Sequence, residues 1–133
     1  MSHFGNQPLN FTLVAAVAIP QYHVVQASGT GYGGLATSAN QVLEGIAQQA
    51  TLAGDFVPVC PLGKSKVVAA GSLGVGARIT ANASGRVTEA TAVLSGFWTD
   101  SGQVILGYTL QAATAAGDVI TAFILAAGDK VAA

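Results

Sequence analysis

Apolar residues along this chain come in short bursts: "NFTLVAAVAI", "YHVVQA", "FVPVC", "SKVVAAG", "TAVLSGFW", "QVILGYTLQ" and "DVITAFIL". They are parted by stretches that hold Gly, Pro, Asn, Asp or Ser, and runs of this length between turn formers read as β-strands. In "QVILGYTLQAA", Val104, Leu106, Tyr108, Leu110 and Ala112 occupy every second position, the period of a half-buried strand. "LATSANQVLEGIAQQATLAGD" is ambiguous by itself. Its Leu35, Ala39, Val42, Leu43, Ile46, Ala47 and Ala50 fall at helical spacing, so an amphipathic helix over about 38–52 is the alternative. Pro58 cannot donate to a ladder and marks "FVPVC" as an edge strand. Pro61-Leu62-Gly63 reads as a turn before "SKVVAAG", "GARITANASGRVTEA" as a hairpin around Ala83-Ser84-Gly85, and "TDSG" as a turn built from Asp100 and Gly102. "DVITAFIL" closes the sheet.

The ambiguity resolves because the chain repeats itself. "QVLEGIAQQATLAGDFV" (41–57) matches "QVILGYTLQAATAAGDVI" (103–120), and "HVVQASG" (23–29) matches "RITANASG" (78–85). Equivalent segments share a conformation, so both copies are strands. Asp55 pairs with Asp118 at a spacing of 118 − 55 = 63, and Gly29 with Gly85 at 85 − 29 = 56. The difference falls in connecting segments, where length is least constrained. The expected architecture is all-β: a small β-barrel or sandwich of short antiparallel strands, with at most one short helix. A flexible arm covers residues 1–10 and one domain covers 11–133, holding pseudo-repeats at about 22–59 and 78–123.

Gly29, Gly31 and Gly34 in "ASGTGYGG" match the G-x-G-x-x-G of a dinucleotide loop, with Asp55 downstream. The second copy has "ASGRVTEATAV" in the same place, with a single glycine. Both copies need a turn there, and glycine makes it without steric cost at positive φ. Ala-Gly-Asp recurs, ending at Asp55, Asp118 and Asp129, and marks further corners.

Only 8% of the 133 residues are charged and the net charge is −1. A folded chain of 13.2 kDa exposes roughly 6,400 Å², so its eleven charges are spread at about one per ~580 Å². Such a surface is best satisfied against copies of itself or a partner. The basic residues form no run, with Lys64 and Lys66 the only close pair, so nucleic acid is not an expected partner. The apolar runs stop at about ten residues, half of what a membrane helix needs. No membrane is expected, and "MSHFGNQPLN" does not read as a signal peptide.

Enzyme chemistry finds little to work with. His3 and His23 are far from Cys60 in sequence and give no metal-ligand spacing. A Cys60–His23 pair or an Asp55–Asp118 carboxylate pair is conceivable, but strand and turn roles account for these residues more simply. No catalytic residue, cofactor or metal is expected.

Three blocks in order carry a resemblance. The first holds Gly45, Ile46, Ala47, Ala50, Gly54 and Val57. The second holds Ala70, Gly71, Gly76, Ile79, Gly85, Arg86 and Val87, and the third Gly107, Thr109, Leu110, Ala112, Ala113, Gly117, Asp118 and Ile120. Over about residues 40–125 the chain resembles the bacteriophage capsid cement (head decoration) proteins. The resemblance implies a small all-β virion protein, made in the host cytoplasm, that binds the outer surface of the assembled head. Its partners would be the major capsid protein and itself, as a homotrimer or alternatively a dimer. Candidate interface residues are Phe4, Asn6 and Pro8 in the arm, Tyr32 in the glycine loop, and Phe97 and Trp98 before the "TDSG" turn. The arm is expected to add an edge strand on the capsid. A carbohydrate-binding module using Tyr32, Trp98 and the "TSANQ" loop is the alternative.

Overall fold

A computed structural model describes residues 9–37, 42–90, 99–100 and 103–125. These are all-β, with no helix among them. The strands are β1 (Leu9–Ala15), β2 (Val24–Ala27), β3 (Tyr32–Leu35), β4 (Leu43–Ala47), β5 (Phe56–Val68), β6 (Arg78–Ala81), β7 (Val87–Glu89), β8 (Thr99–Asp100), β9 (Gln103–Val104), β10 (Gly107–Thr109) and β11 (Val119–Leu125). Nine form one sheet in the order β1-β3-β2-β4-β5-β11-β10-β6-β7, and β8 pairs with β9 alone. Because β1 also pairs with β5, the first five strands close into a barrel. The segment open to a helical reading is strand β4.

The duplication is visible bond by bond. Residues 9–36 correspond to 63–90 at a constant offset of 54 (78 − 24). Ala36 N–H donates to Val24 O and Ala90 N–H to Arg78 O, both at 2.9 Å. Ala15 pairs in parallel with Gly33, and Ala69 with Val87. Further on, Gly54 N–H binds Ala15 O as Gly117 N–H binds Ala69 O, and Ile19 bridges Thr51 as Leu73 bridges Ala113. The turn glycines match as Gly31 (φ 78°) and Gly85 (φ 79°), two positions from the Gly29–Gly85 pairing that the sequence suggests. The second barrel is therefore β5-β11-β10-β6-β7, closed by the single Ala69–Val87 bridge.

One strand serves both barrels. The 13 residues of β5 pair first with β1 and β4, and from Leu62 onward with β11. This corrects three expectations. Pro58 lies in a central strand: it pairs with Thr12 on one side, and on the other its carbonyl accepts from Gln48 N–H. The bond that Pro58 cannot donate is replaced, because Gln48 O accepts from Gln21 Nε2 at 3.2 Å. Pro61-Leu62-Gly63 is no turn but the point where β5 passes from one barrel to the other, with Gly63 at φ 115°. β11 lies between β5 and β10 and closes nothing. At the chain's start, Leu9 and Asn10 already belong to β1.

The packing is not symmetric. One cluster, holding Ala15, Ile19, Val25, Ala47, Val57 and Val59, fills the first barrel. A larger cluster fills the second barrel with Val67, Ile79, Ile120 and Ala122, and also takes in Val24, Leu43 and Ile46 from the first. The outer face of the first barrel is thus buried against the second. Backbone bonds join the two here: Val24 N–H donates to Gly85 O at 2.7 Å and Val68 N–H to Tyr22 O at 3.3 Å.

Candidate functional site: two unequal copies of one surface

The glycine loop is a hairpin turn. It joins β2 to β3, which pair antiparallel (Gln26 opposite Gly34), whereas a dinucleotide loop leads from a strand into a helix. Gly29 (φ 92°) and Gly31 (φ 78°) supply the turn geometry. Gly33 points into the barrel, where a Cβ would come within 2.7 Å of Val25 Cγ1.

Cys60 is buried and its thiol points to Leu62 O at 3.5 Å. Burial pushes its pKa up, away from the thiolate that nucleophilic chemistry needs. His23 Nδ1 lies 3.1 Å from Gln21 O instead. The Asp118 carboxylate is a turn cap: it accepts from Thr114 N–H (2.9 Å), Thr114 Oγ1 (3.0 Å) and Ala115 N–H (3.1 Å). The backbone bond from Thr114 leads in holding its pKa below the ordinary value. Asp55 is the corner residue of the other copy, with its N–H bonded to Leu52 O as that of Asp118 is to Ala115 O. Asp129 lies outside the described residues. Among the described residues no three His, Cys, Asp or Glu gather where they could hold a metal, and no helix is long and apolar enough to cross a membrane.

What stands out is the contrast between equivalent corners. At the Ala-Gly-Asp corner of the first barrel, Leu52 is 70% exposed, Phe56 68% and Val17 48%. Beside them lies an open groove of about 380 Å³, lined by Ala18, Pro20, Leu35, Ala50 and Leu52 among others. The same positions on the second barrel are Gly71 for Val17, Ser72 for Ala18, Gly74 for Pro20, Glu89 for Leu35, Ala115 for Leu52 and Val119, 50% exposed, for Phe56. One backbone thus carries a strongly and a weakly apolar version of this corner, so the side chains of Val17, Pro20 and Leu52 are not required by the fold. Cations divide the same way: none of the five Lys and Arg residues lies before residue 63.

The outer faces differ too. On the first barrel the cross-strand row Val24, Ile46, Cys60 is fully buried. Its counterpart on the second is Arg78, Tyr108, Phe123, with Arg78 exposed and Tyr108 39% exposed. The Tyr108 and Phe123 rings sit 5.7 Å apart at 38°.

Of the residues singled out in the sequence, Tyr32 opens β3 at 48% exposure, next to the hairpin turn. Phe4, Asn6, Pro8, Phe97 and Trp98 lie outside the described residues. Sequence reasoning missed Val17, Leu52, Phe56, Arg78 and Tyr108. Laying one repeat on the other at the right offset would have shown where the copies differ in polarity.

No protein-family model matches the chain, and no curated protein matches it significantly. Among solved structures, the chain is similar to the N base of head fiber gp8.5 of bacteriophage phi29. The TM-score is 0.64 at 21% identity, and the match covers 96% of this chain and 100% of that one. At this identity the likeness establishes a shared fold over essentially the full length of both.

Proposed function

We propose that this chain is a structural protein of a phage virion, a decoration or cement protein that attaches to the outer surface of the assembled head through its major capsid protein and braces it. The observation that carries the reading is the apolar Val17–Leu52–Phe56 corner, whose Val17 and Leu52 give way to Gly71 and Ala115 on the other repeat. Support also comes from the fold shared with the base of a phage head fiber, and from a charge-poor chain whose Lys and Arg residues all lie from residue 64 onward. In this reading the cation-free first barrel sits against the shell and the second faces solvent. Each contact need only be modest, because many identical sites are filled at once and bound copies stabilise the shell by mass action.

The test is to add purified protein to heads that lack it, then measure occupancy by co-sedimentation and cryo-microscopy. Leu52→Asp combined with Phe56→Asp is expected to lower occupancy at least about tenfold, since each places a charge in a desolvated contact. Ala115→Asp combined with Val119→Asp, at the matching exposed positions of the other corner, leaves occupancy unchanged. Heads that bind the double variant as well as the parent protein refute the assignment of this corner. A glycan array with clear hits, and no binding to heads, replaces the reading with a carbohydrate-binding one around Tyr32.

A further inference from the structure

The first barrel ends in two backbone groups that the second barrel covers. Tyr22 O receives Val68 N–H, and Val24 N–H donates to Gly85 O in the turn between β6 and β7. That turn approaches closely because Gly85 has no side chain: a Cβ there would overlap Leu35 Cδ1.

At an offset of 54 the same two groups on the second barrel are Gly76 O and Arg78 N–H. Gly76 has the positive φ (80°) that Tyr22 has (65°), and its N–H binds Thr109 O as that of Tyr22 binds Ala47 O. Arg78 O accepts from Ala90 N–H, so the Arg78 N–H faces the same side, and no described residue receives it there. Among the described residues this end is open, and the aromatic–cationic row of Arg78, Tyr108 and Phe123 lies beside it. Arg and Tyr are the residues favoured where a surface is covered only on association, whereas the permanently covered Val24–Ile46–Cys60 row is apolar throughout. The counterpart of the docking turn is also present. Residues 28–31, between β2 and β3, are all exposed, and Gly31 stands where Gly85 does.

We propose that the open end of the second barrel receives the β2–β3 turn of a second copy of this chain, so that copies associate head to tail in the way the two barrels already associate within one chain. Gly31 O accepts from Val14 N–H at 3.0 Å, and its second lone pair is available for the Arg78 N–H of a neighbour. Glu89 occupies the position of Leu35, so the incoming turn lies over its stem. Each copy has one turn and one open end. The contact is therefore heterologous, and it closes into a ring or runs on as a filament according to its rotation. Purified chain alone reports on it, and the Val17–Leu52–Phe56 corner takes no part, so its failure and that of head attachment are separable.

The test uses analytical ultracentrifugation together with two single-site variants, Thr30→Cys in the turn and Glu89→Cys at the open end, treated with a short bis-maleimide. Parent protein is the control, because its Cys60 is buried. Covalent dimers are expected only when the two variants are mixed. Tyr108→Glu, at a partly exposed position, is expected to weaken association about tenfold or more while leaving the thermal melt in place. A chain that stays monomeric to its solubility limit overturns the proposal. So does cross-linking of either variant alone as efficiently as the mixture, which indicates a symmetric contact. Association indifferent to Tyr108→Glu overturns it as well.

Discussion

Gly107 and Gly117 stand ten residues apart, yet replacing each with alanine should have very different consequences. Gly107 lies in β10 against β11, and a Cβ built on it would overlap Phe123 O, with Phe123 C at 3.0 Å and Ile124 Cα at 3.1 Å. These are backbone atoms of a paired strand and cannot swing aside. Restoring ordinary contact at about 3.5 Å requires the strands to part by more than an ångström. That loosens the Gly107–Ile124 and Tyr108–Phe123 pairs. Two weakened backbone bonds at about 1 kcal/mol each, plus about 1–3 kcal/mol of overpacking strain, give about 3–5 kcal/mol for Gly107→Ala. Gly117 sits at φ 91° with nothing within 4 Å of its would-be Cβ. Gly117→Ala therefore meets only left-handed strain, about 1–2 kcal/mol. For a domain of this size 1 kcal/mol moves Tm by about 3–5 °C. Calorimetry should find Gly107→Ala melting about 9–25 °C below the parent protein, and Gly117→Ala about 3–10 °C below. The repeat supplies an internal replicate: Gly45, pressed on Cys60 O, behaves as Gly107, and Gly54, in open space at φ 90°, behaves as Gly117. If Gly107→Ala melts no lower than Gly117→Ala, the two barrels are not held by the close strand crossings described above.

Ile46→Ala removes a fully buried side chain where the two barrels meet, and urea unfolding should show a loss of about 2–5 kcal/mol. Asp118→Ala removes the cap on Thr114 and Ala115. The Asp118 pKa is depressed in the folded protein, so its contribution is fully present above the ordinary aspartate range, neutral pH included, and disappears as pH falls through the lowered folded value. The expected result is a variant less stable than the parent at pH 7 that converges with it under acid conditions; a gap that persists at low pH contradicts the capping role.

Much of the fold was legible because local chemistry and tertiary structure agree. The hairpin around Asn82–Arg86 is held by Asn82 Oδ1, which accepts from Ser84 N–H and Arg86 N–H, and asparagine and glycine announce such turns. The repeat settled strand over helix for β4. The failures cluster in β5, where Pro58, Pro61 and Gly63 have the composition of a break but stand in a continuous ladder. Pairing on both sides, together with the Gln21 side chain, overrides their local preference. Tyr22 is the reverse case: nothing in its residue type announces φ 65°, whereas Gly76 at the matching place does. The ring of Tyr22 packs on the larger core cluster, which holds a conformation disfavoured for a bulky residue. The interaction surfaces were illegible for another reason. Val24 and Arg78, or Ile46 and Tyr108, occupy the same position in the same fold, and their burial is decided by which barrel lies over which.

That inequality follows from the way the two copies are joined. Two separate barrels would present the same faces, and any contact evolved on one would appear on the other. Sharing β5 fixes the barrels in one orientation, in which the β6–β7 turn of the second copy covers Tyr22 and Val24 of the first. From then on equivalent positions answer to different demands. Val24, Ile46 and Cys60 must pack as core, while Arg78 and Tyr108 must stay soluble. The corner at Leu52 can carry a large apolar side chain while its twin at Ala115 keeps a small one in a turn capped by Asp118. The chain thereby presents two distinct surfaces, a corner on the first barrel and an end on the second, without any structural element beyond the repeat itself. The two proposed contacts, with a shell through one surface and with a neighbouring copy through the other, are therefore separable: Leu52→Asp with Phe56→Asp should remove only the first and Tyr108→Glu only the second.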